Sequence, residues 1–321
     1  MSARTRPGHG EPPGLADAIR ERSVLLGLSY RLLGSLADAE DAVQETYIRW
    51  YRLSDEERRS IASPRAWLIR TASRIGLDML GTARARREHY VGEWLPEPVP
   101  AANRWSSHGT STALDPAERV TLDGSVSMAL LIVLESMTPA ERVAFVLHDV
   151  FRYTFAEIAD IVGRTPGACR QLASSARRRV REHQRTPVPP AEHAAAVQSF
   201  RTAWQTGDLG ALLDVLDPGA TAITDGGGRV SASLEPLHGP EAIARFLLGV
   251  LDRQPDLVLH DELVNGEPGL VATDGEGGTL AVLALVATVG GTITQVWAVR
   301  NPDKLEAWHG ERGRTPGSQR R

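Results

Sequence analysis

Residues 154–183 read TFAEIADIVGRTPGACRQLASSARRRVREH, and the fold is decided here. Thr154 followed three residues later by Glu157 is a capping box: the hydroxyl accepts an orphan N–H, and the carboxylate reaches back to the cap. Ile158 and Ile161 carry a short helix to Gly163, which ends it, and Thr165-Pro166 opens the next helix after a tight turn. At about 100° per residue, Cys169, Leu172, Ala173, Ala176 and Val180 cover roughly a third of that second helix. Gly167, Arg170, Gln171, Ser174, Arg177, Arg178 and Arg181 cover the rest. Helices joined this way place the second in the major groove of DNA. Near its N-terminus, Arg170 matches guanine and Gln171 adenine; Arg177, Arg178 and Arg181 suit phosphates. A plain helical hairpin with a basic surface is the alternative reading. Cys169 belongs to the apolar stripe and reads as core.

On the N-terminal side of this stretch, Thr138-Pro139-Ala140-Glu141 is a second capping box, and helices are expected from about Ala117 to His183. Upstream, periodicity disappears from Glu93 to about Asp115, where Trp94-Leu95-Pro96-Glu97-Pro98-Val99-Pro100 reads as a linker. Residues 15–90 read as helical, with Leu25, Leu28, Leu32 and Leu36 at helical spacing and Gly34-Ser35 weakening the register. A helix over Asp38–Leu53 shows Asp41, Glu45 and Ile48 on one side, a surface suited to a protein partner. Ser63-Pro64 opens another helix, with Leu68, Ala72, Ile75 and Met79 on one face and Arg70 and Arg74 opposite. Arg84, Arg86 and Arg87 follow, and Trp67 lies between the faces, placed to support a stacked base or to cap the core. Beyond Thr186-Pro187-Val188-Pro189-Pro190 the character becomes α+β. Helices around Ala194–Thr206 and Pro240–Leu251 flank an apolar stretch ending in Asp225-Gly226-Gly227-Gly228-Arg229. Strand-like runs then cover Leu257–Val264, Leu280–Val289 and Thr292–Arg300.

The 321 residues are 42% hydrophobic, enough for two or three cored domains. No apolar run is long enough for a bilayer and no signal peptide is visible, so a cytoplasmic protein is expected. The single cysteine excludes an internal disulfide framework and a cysteine-built zinc site. No metal or cofactor motif is found. The net charge of −4 hides an asymmetry: residues 1–186 hold 26 Arg against 23 acids, and residues 187–321 hold 10 basic groups against 17 acids. An acidic C-terminal unit is expected to lie near the basic helix and weaken its hold on DNA. His238, Asp225 and Asp261 are candidates for proton transfer in an enzymatic third unit, although no spacing pairs them.

The run Asp38-Ala39-Glu40-Asp41-Ala42-Val43-Gln44-Glu45-Thr46-Tyr47, with Pro64-Arg65-Ala66-Trp67-Leu68 and Leu77-Asp78, resembles region 2 of bacterial sigma-70-family factors of the extracytoplasmic-function group. Residues 126–183 resemble region 4. From about 191 to 310 the chain resembles a SnoaL-like cone of the nuclear-transport-factor-2 type, with Leu237-His238-Gly239-Pro240-Glu241-Ala242-Ile243 entering a helix. Trp94–Pro98, Asp225–Gly228 and Asn301–Leu305 match motifs of the subgroup that carries such a domain. The resemblance implies two all-α sigma domains followed by an α+β cone, in a non-enzymatic transcription initiation factor without cofactors. It divides the chain at 15–92 (region 2), 93–116 (linker), 117–185 (region 4), 186–192 (linker), 193–310 (SnoaL-like domain) and 311–321 (disordered tail).

The resemblance also implies roles. Asp41, Gln44, Glu45 and Ile48 would bind core RNA polymerase at the β′ clamp helices, with the β subunit as a further contact. Trp67, Arg70, Arg74, Arg84, Arg86 and Arg87 would open the −10 element. Arg170, Gln171, Ser174, Arg177, Arg178 and Arg181 would read the −35 element. Trp94, Leu95 and Pro96, the Asp225, Gly226, Gly227 and Gly228 loop, and Asn301, Pro302, Asp303, Lys304 and Leu305 would regulate activity between domains. The cone is a candidate small-molecule site. Promoter elements about 17 base pairs apart are separated by roughly 58 Å, and the 28 residues from Glu93 to Val120 reach about 90 Å when extended. A helix-turn-helix regulator with a ligand-sensing or vestigially enzymatic cone is the competing reading.

Overall fold

The computed structural model describes residues 21–100, 126–183 and 186–308. Its first unit contains α1 (Arg22–Leu33), α2 (Leu36–Arg52), α3 (Asp55–Ser60) and α4 (Pro64–Glu88). The Gly34-Ser35 pair turns out to be a joint. Gly34 ends α1 in the left-handed conformation, and the Ser35 side chain accepts from Asp38 N to open α2. Ser63 caps α4, its Oγ accepting from Ala66 N at 3.2 Å.

The second unit contains α5 (Met128–Glu135), α6 (Pro139–Phe145) running into a π-turn over Val146–Val150, α7 (Phe155–Val162) and α8 (Pro166–Glu182). Both capping boxes form, and Gly163 ends α7 with φ 70°. Cys169, Ala173 and Ala176 are buried as the angular arithmetic requires. The expected helical start near Ala117 lies outside the described residues. Every residue of α1 from Val24 to Leu33 is buried, and a helix apolar all round needs partners on all sides. It therefore draws both units into one core, in which Leu25, Leu32 and Leu68 join Leu131, Val143 and Ile158.

The third unit opens with α9 (Pro190–Gln205) and α10 (Leu209–Val215), followed by β1 (Leu216–Asp225), β2 (Leu237–His238) and α11 (Pro240–Arg253). It closes with β3 (Val258–Val264), β4 (Glu267–Thr273), β5 (Thr279–Ala287), β6 (Ile293–Val299) and two 3-10 turns, Pro302–Lys304 and Glu306–Trp308. The sheet order is β2-β1-β6-β5-β4-β3, with β1 and β6 parallel and the other neighbours antiparallel. Strand β4 lies outside the three expected runs, and its Pro268 and Gly269 are residues that weaken a strand signal. It is tolerated because Pro268 precedes the β5 pairing, which starts at Gly269.

Both faces of the sheet are buried at its central strands, which is why β5 reads as one apolar run rather than an alternation. Ala281, Leu283, Leu285, Val296 and Ala298 face α9 and α11. Val282, Ala284, Trp297 and Val299 face the other way, onto Leu95 of the linker and Met128 of α5. The third unit is thus packed against the helical units through the back of its sheet.

Candidate functional site

On α8, Arg170, Gln171, Ser174, Arg178 and Arg181 are exposed on the side away from Cys169 and Ala173. Arg177 is half-buried in an ion pair with Asp149 at 2.8 Å. Arg178 and Arg179 lie 3.9 Å from Glu182 and Glu141 respectively. These carboxylates all belong to the second unit. The acidic third unit does not cover α8 among the described residues, contrary to the expectation from charge; apolar packing and the linker set where it docks.

The α4 face is placed differently. Trp67 is half-buried, its ring edge-on to Trp50 at a centroid distance of 5.2 Å, so in this state it caps the core. Arg74 Nη2 donates to the Asp160 carbonyl at 2.6 Å, and Arg70 lies 3.9 Å from the Asp160 carboxylate. Helix α7, half of the helix-turn-helix, therefore lies across the arginine side of α4. Arg87 is also engaged. It pairs with Glu135, donates to the Leu33 carbonyl at 2.8 Å and stacks 3.6 Å above the Trp94 ring. The side chains of Arg84 and Arg86 fall outside the described residues. On α2, Asp41, Gln44 and Ile48 are exposed, and Glu45 pairs with Arg49 at 2.9 Å.

The segment read as a linker carrying interdomain residues is a buried strap over residues 94–100. Leu95, Pro96, Glu97, Pro98 and Val99 are all buried. One edge of the strap grips the first unit: Glu97 Oε2 accepts from Leu36 N at 2.8 Å, capping α2, and Glu97 N donates to the Gly34 carbonyl at 2.8 Å. The other edge grips the third unit, where Trp308 Nε1 donates to the Pro98 carbonyl at 2.9 Å.

At the centre of that second contact is Asp225, with 0% exposure. Its Oδ2 accepts from Lys304 Nζ at 2.7 Å and from Leu95 N at 2.9 Å. Its Oδ1 accepts from Tyr90 Oη at 2.6 Å and from Gly227 N at 3.1 Å. Lys304, the sole lysine of the chain, also donates to the Leu95 carbonyl at 2.6 Å, and its ammonium sits 4.1 Å from the Trp94 ring centre. Burial lowers the Lys304 pKa from its ordinary value, while the Asp225 charge pulls the other way. Burial and the Asp225 carboxylate raise that of Tyr90.

The glycine loop is shaped by the same contacts. Gly227 and Gly228 have φ of 61° and 70°, a region costly for residues with a Cβ. A Cβ on Gly227 would overlap the Asn301 side chain, and one on Gly228 would come within 3.0 Å of Val91. Asn301 Nδ2 donates to Tyr90 Oη at 2.9 Å, Asp303 pairs with Arg229 at 2.9 Å, and Leu305 is buried against the sheet. Pro302 is exposed at the head of its turn. Three motifs far apart in sequence thus meet around one carboxylate.

Asn265 was missed in the sequence. It is 1% exposed with φ 53°, in the two-residue turn between β3 and β4. Its Nδ2 donates to Tyr30 Oη and to the Val126 carbonyl, both at 2.9 Å, and its Oδ1 accepts from Val99 N at 3.1 Å. One amide ties the first unit, the second unit and the strap. The signal was present: Asn-Gly between apolar runs is the strongest short-range hairpin mark. The residues weighed for proton transfer are not brought together. His238 is exposed on β2, Asp261 pairs with Arg201 at 3.1 Å, and neither they nor Asp225 line the cavity of the cone.

Residues 19–86 match Sigma-70 region 2 and residues 127–180 match Sigma-70, region 4. The chain is 37% identical over 299 residues to the ECF RNA polymerase sigma factor SigJ of Mycobacterium tuberculosis (strain ATCC 25618 / H37Rv), covering 90% of this chain and 91% of that relative. The chain belongs to the extracytoplasmic-function RNA polymerase sigma factors. The probable ECF sigma factor SigI of the same strain is 35% identical over 294 residues, covering 91% of this sigma factor and 94% of its relative. The crystal structure of M. tuberculosis SigJ superposes with a TM-score of 0.69 at 35% identity, over 91% of this chain and 98% of that one. The sigma factor's partners are therefore core RNA polymerase and promoter DNA. Its two helical units are regions 2 and 4, and its third is an α+β domain built on a six-stranded mixed sheet. No helix among the described residues is long and apolar enough to cross a membrane.

Proposed function

We propose that this sigma factor is held closed by its own C-terminal domain and initiates transcription once the Asp225 contact is released. The observation that carries this reading is the buried Asp225 carboxylate, which binds Lys304, Tyr90 and Leu95 at once. Through it the strap between regions 2 and 4 is fastened to the cone. The proposed domain limits are region 2 over 15–92, the strap and linker over 93–116, region 4 over 117–185, and the cone from 193 to 310 after a short join.

In this reading the open face of α2, with Asp41, Gln44, Glu45 and Ile48, docks on the β′ clamp helices, and region 4 meets the β subunit. The α4 residues Trp67, Arg70, Arg74, Arg84, Arg86 and Arg87 act on the −10 element after α7 has moved away. The α8 residues Arg170, Gln171, Ser174, Arg177, Arg178 and Arg181 act on the −35 element. The scattered His238, Asp225 and Asp261 support a regulatory cone over a catalytic one, and its cavity is the candidate ligand site. The factor works in the cytoplasm, where its polymerase is.

Run-off transcription with purified core polymerase tests this, comparing the intact chain, Asp225→Asn and a chain ending near Arg185. Asp225→Asn is expected to initiate several-fold more transcript than the intact chain at the same promoter. Equal output from the two, with equal polymerase binding, would show that the contact does not restrain the factor. The substitution is a cleaner probe than truncation, because removing the cone also uncovers Leu95 and Met128.

A further inference from the structure

Between α11 and the helix-facing side of the sheet, the cone holds a cavity of about 40 Å³, walled by apolar side chains such as Ile243, Leu247, Leu283 and Val296. Four side chains with polar atoms border it, Trp204, Thr224, Gln254 and Arg300, and Trp204 is satisfied, its Nε1 donating to the Leu247 carbonyl at 2.9 Å. Thr224 is satisfied, since its Oγ1 accepts from Ser233 N at 2.8 Å and donates to the Ser233 carbonyl at 3.1 Å. Gln254 Oε1 is buried and accepts from no group among the described residues. Arg300 donates to the Ser231 carbonyl, and no carboxylate pairs with it among the described residues. Burial lowers its pKa, and the charge acting on it is another cation, Arg253. A half-buried guanidinium without a counter-ion, an apolar void and an orphan acceptor together specify an anion with a short apolar body and one hydrogen-bond donor.

We propose that the cavity binds a short-chain hydroxycarboxylate, its carboxylate on Arg300 and its hydroxyl donating to Gln254, and that binding loosens the Asp225 contact. Since one water needs roughly 10–15 Å³ of such space, a chain of about four carbons fits. The coupling is built into two strands. On β1, Ala222 and Thr224 face the cavity while the next residue, Asp225, faces the strap. On β6, Val296 and Ala298 face the cavity and lead into Arg300 and Asn301. Arg300 N and Asn301 N both donate to the Asp225 carbonyl, at 2.7 and 2.9 Å. A carboxylate that draws Arg300 off the Ser231 carbonyl therefore pulls on the backbone that seats Asp225, and frees one end of the glycine loop. The coupling, though not the binding, rests on the reading that Asp225 restrains the factor.

Calorimetric titration of the intact chain with 3-hydroxybutyrate, butyrate and 3-hydroxybutyramide tests the site. Saturable one-to-one binding of 3-hydroxybutyrate is expected, roughly tenfold weaker for the amide, which lacks the charge. Butyrate is expected to bind more weakly than the hydroxy acid, and Gln254→Met should abolish that difference. Arg300→Gln should lose about tenfold in affinity for both acids. No saturable binding, equal affinity for acid and amide, or unchanged binding in Arg300→Gln would overturn the site. In run-off transcription, 3-hydroxybutyrate should raise initiation by the intact chain and leave Asp225→Asn unchanged. Binding without that rise overturns the coupling. Whether Asp225 restrains the factor at all is read separately, from the two chains without ligand.

Discussion

The Asp225 carboxylate accepts four hydrogen bonds, from Tyr90, Leu95, Gly227 and Lys304, and its partner Lys304 is itself nearly buried. Removing one member of such a pair leaves the other charge desolvated, at a cost of about 3–5 kcal/mol. Asp225→Asn should therefore lower the urea midpoint of the strap and cone markedly, and Lys304→Met in the same chain should recover part of the loss. Fluorescence of Trp94 and Trp308 reports it; an unchanged midpoint would mean the pair adds nothing to the closed form. A second residue adds a pH response. His193 Nε2 donates to the Leu285 carbonyl at 3.0 Å, and burial lowers its pKa from the ordinary 6.5. The unfolded chain then binds the proton more readily, so stability present above about pH 6.5 is lost as pH falls through the folded value. Thermal unfolding from pH 7.5 to 5 should show this slope, and His193→Gln should flatten it. Asp225 and Lys304 were legible as members of motifs. Their meeting was not, because nothing local to either residue records a contact 79 positions away.

At the scale of elements, the helix-turn-helix was legible because its signals are local. Each capping box, the Gly163 stop and the Thr165-Pro166 start act within one turn of chain, and all form as read. Thr154→Ala removes the cap of α7 and should destabilise region 4 by about 1 kcal/mol, measurable as a lower melting temperature with the α8 surface intact. On α8, Arg170→Ala should weaken binding to a −35 duplex by about 1–3 kcal/mol and relax preference at one base pair, whereas Arg178→Ala should weaken all sequences alike. Binding titrations on wild-type and single-mismatch duplexes separate the two, and a uniform loss for Arg170→Ala would move it to the backbone-contacting set. The strap was the least legible element. Its prolines forbid a helix, and that alone reads as a linker; only the partners of Leu95, Glu97 and Val99 reveal that it is core.

For the molecule as a whole, one distance carries the argument. A promoter holds its two elements roughly 58 Å apart, yet here the arginine face of α4 touches α7 of region 4 at 2.6 Å. Under the proposed −10 and −35 assignments both sets of contacts cannot be made at once, so regions 2 and 4 are expected to separate before a promoter is read. The ties that oppose separation are the shared core around α1, the Asn265 amide and the strap fastened at Asp225. The exposed faces of α2 and α8 stay open in the closed form, so under the proposed assignments polymerase and −35 DNA can engage before the −10 face is free. A chain carrying spin labels on α2 at Arg52 and on α8 at Arg178, in a Cys169→Ser background, should give a single short distance when free. Core polymerase should lengthen it by tens of ångströms, because the shared core must part for the two readers to span the promoter. Asp225→Asn should populate the long distance without polymerase, since it weakens a tie and touches neither label. A long distance in the free intact chain would refute the closed form directly, and an unchanged short distance on polymerase would mean that promoter DNA itself drives the opening.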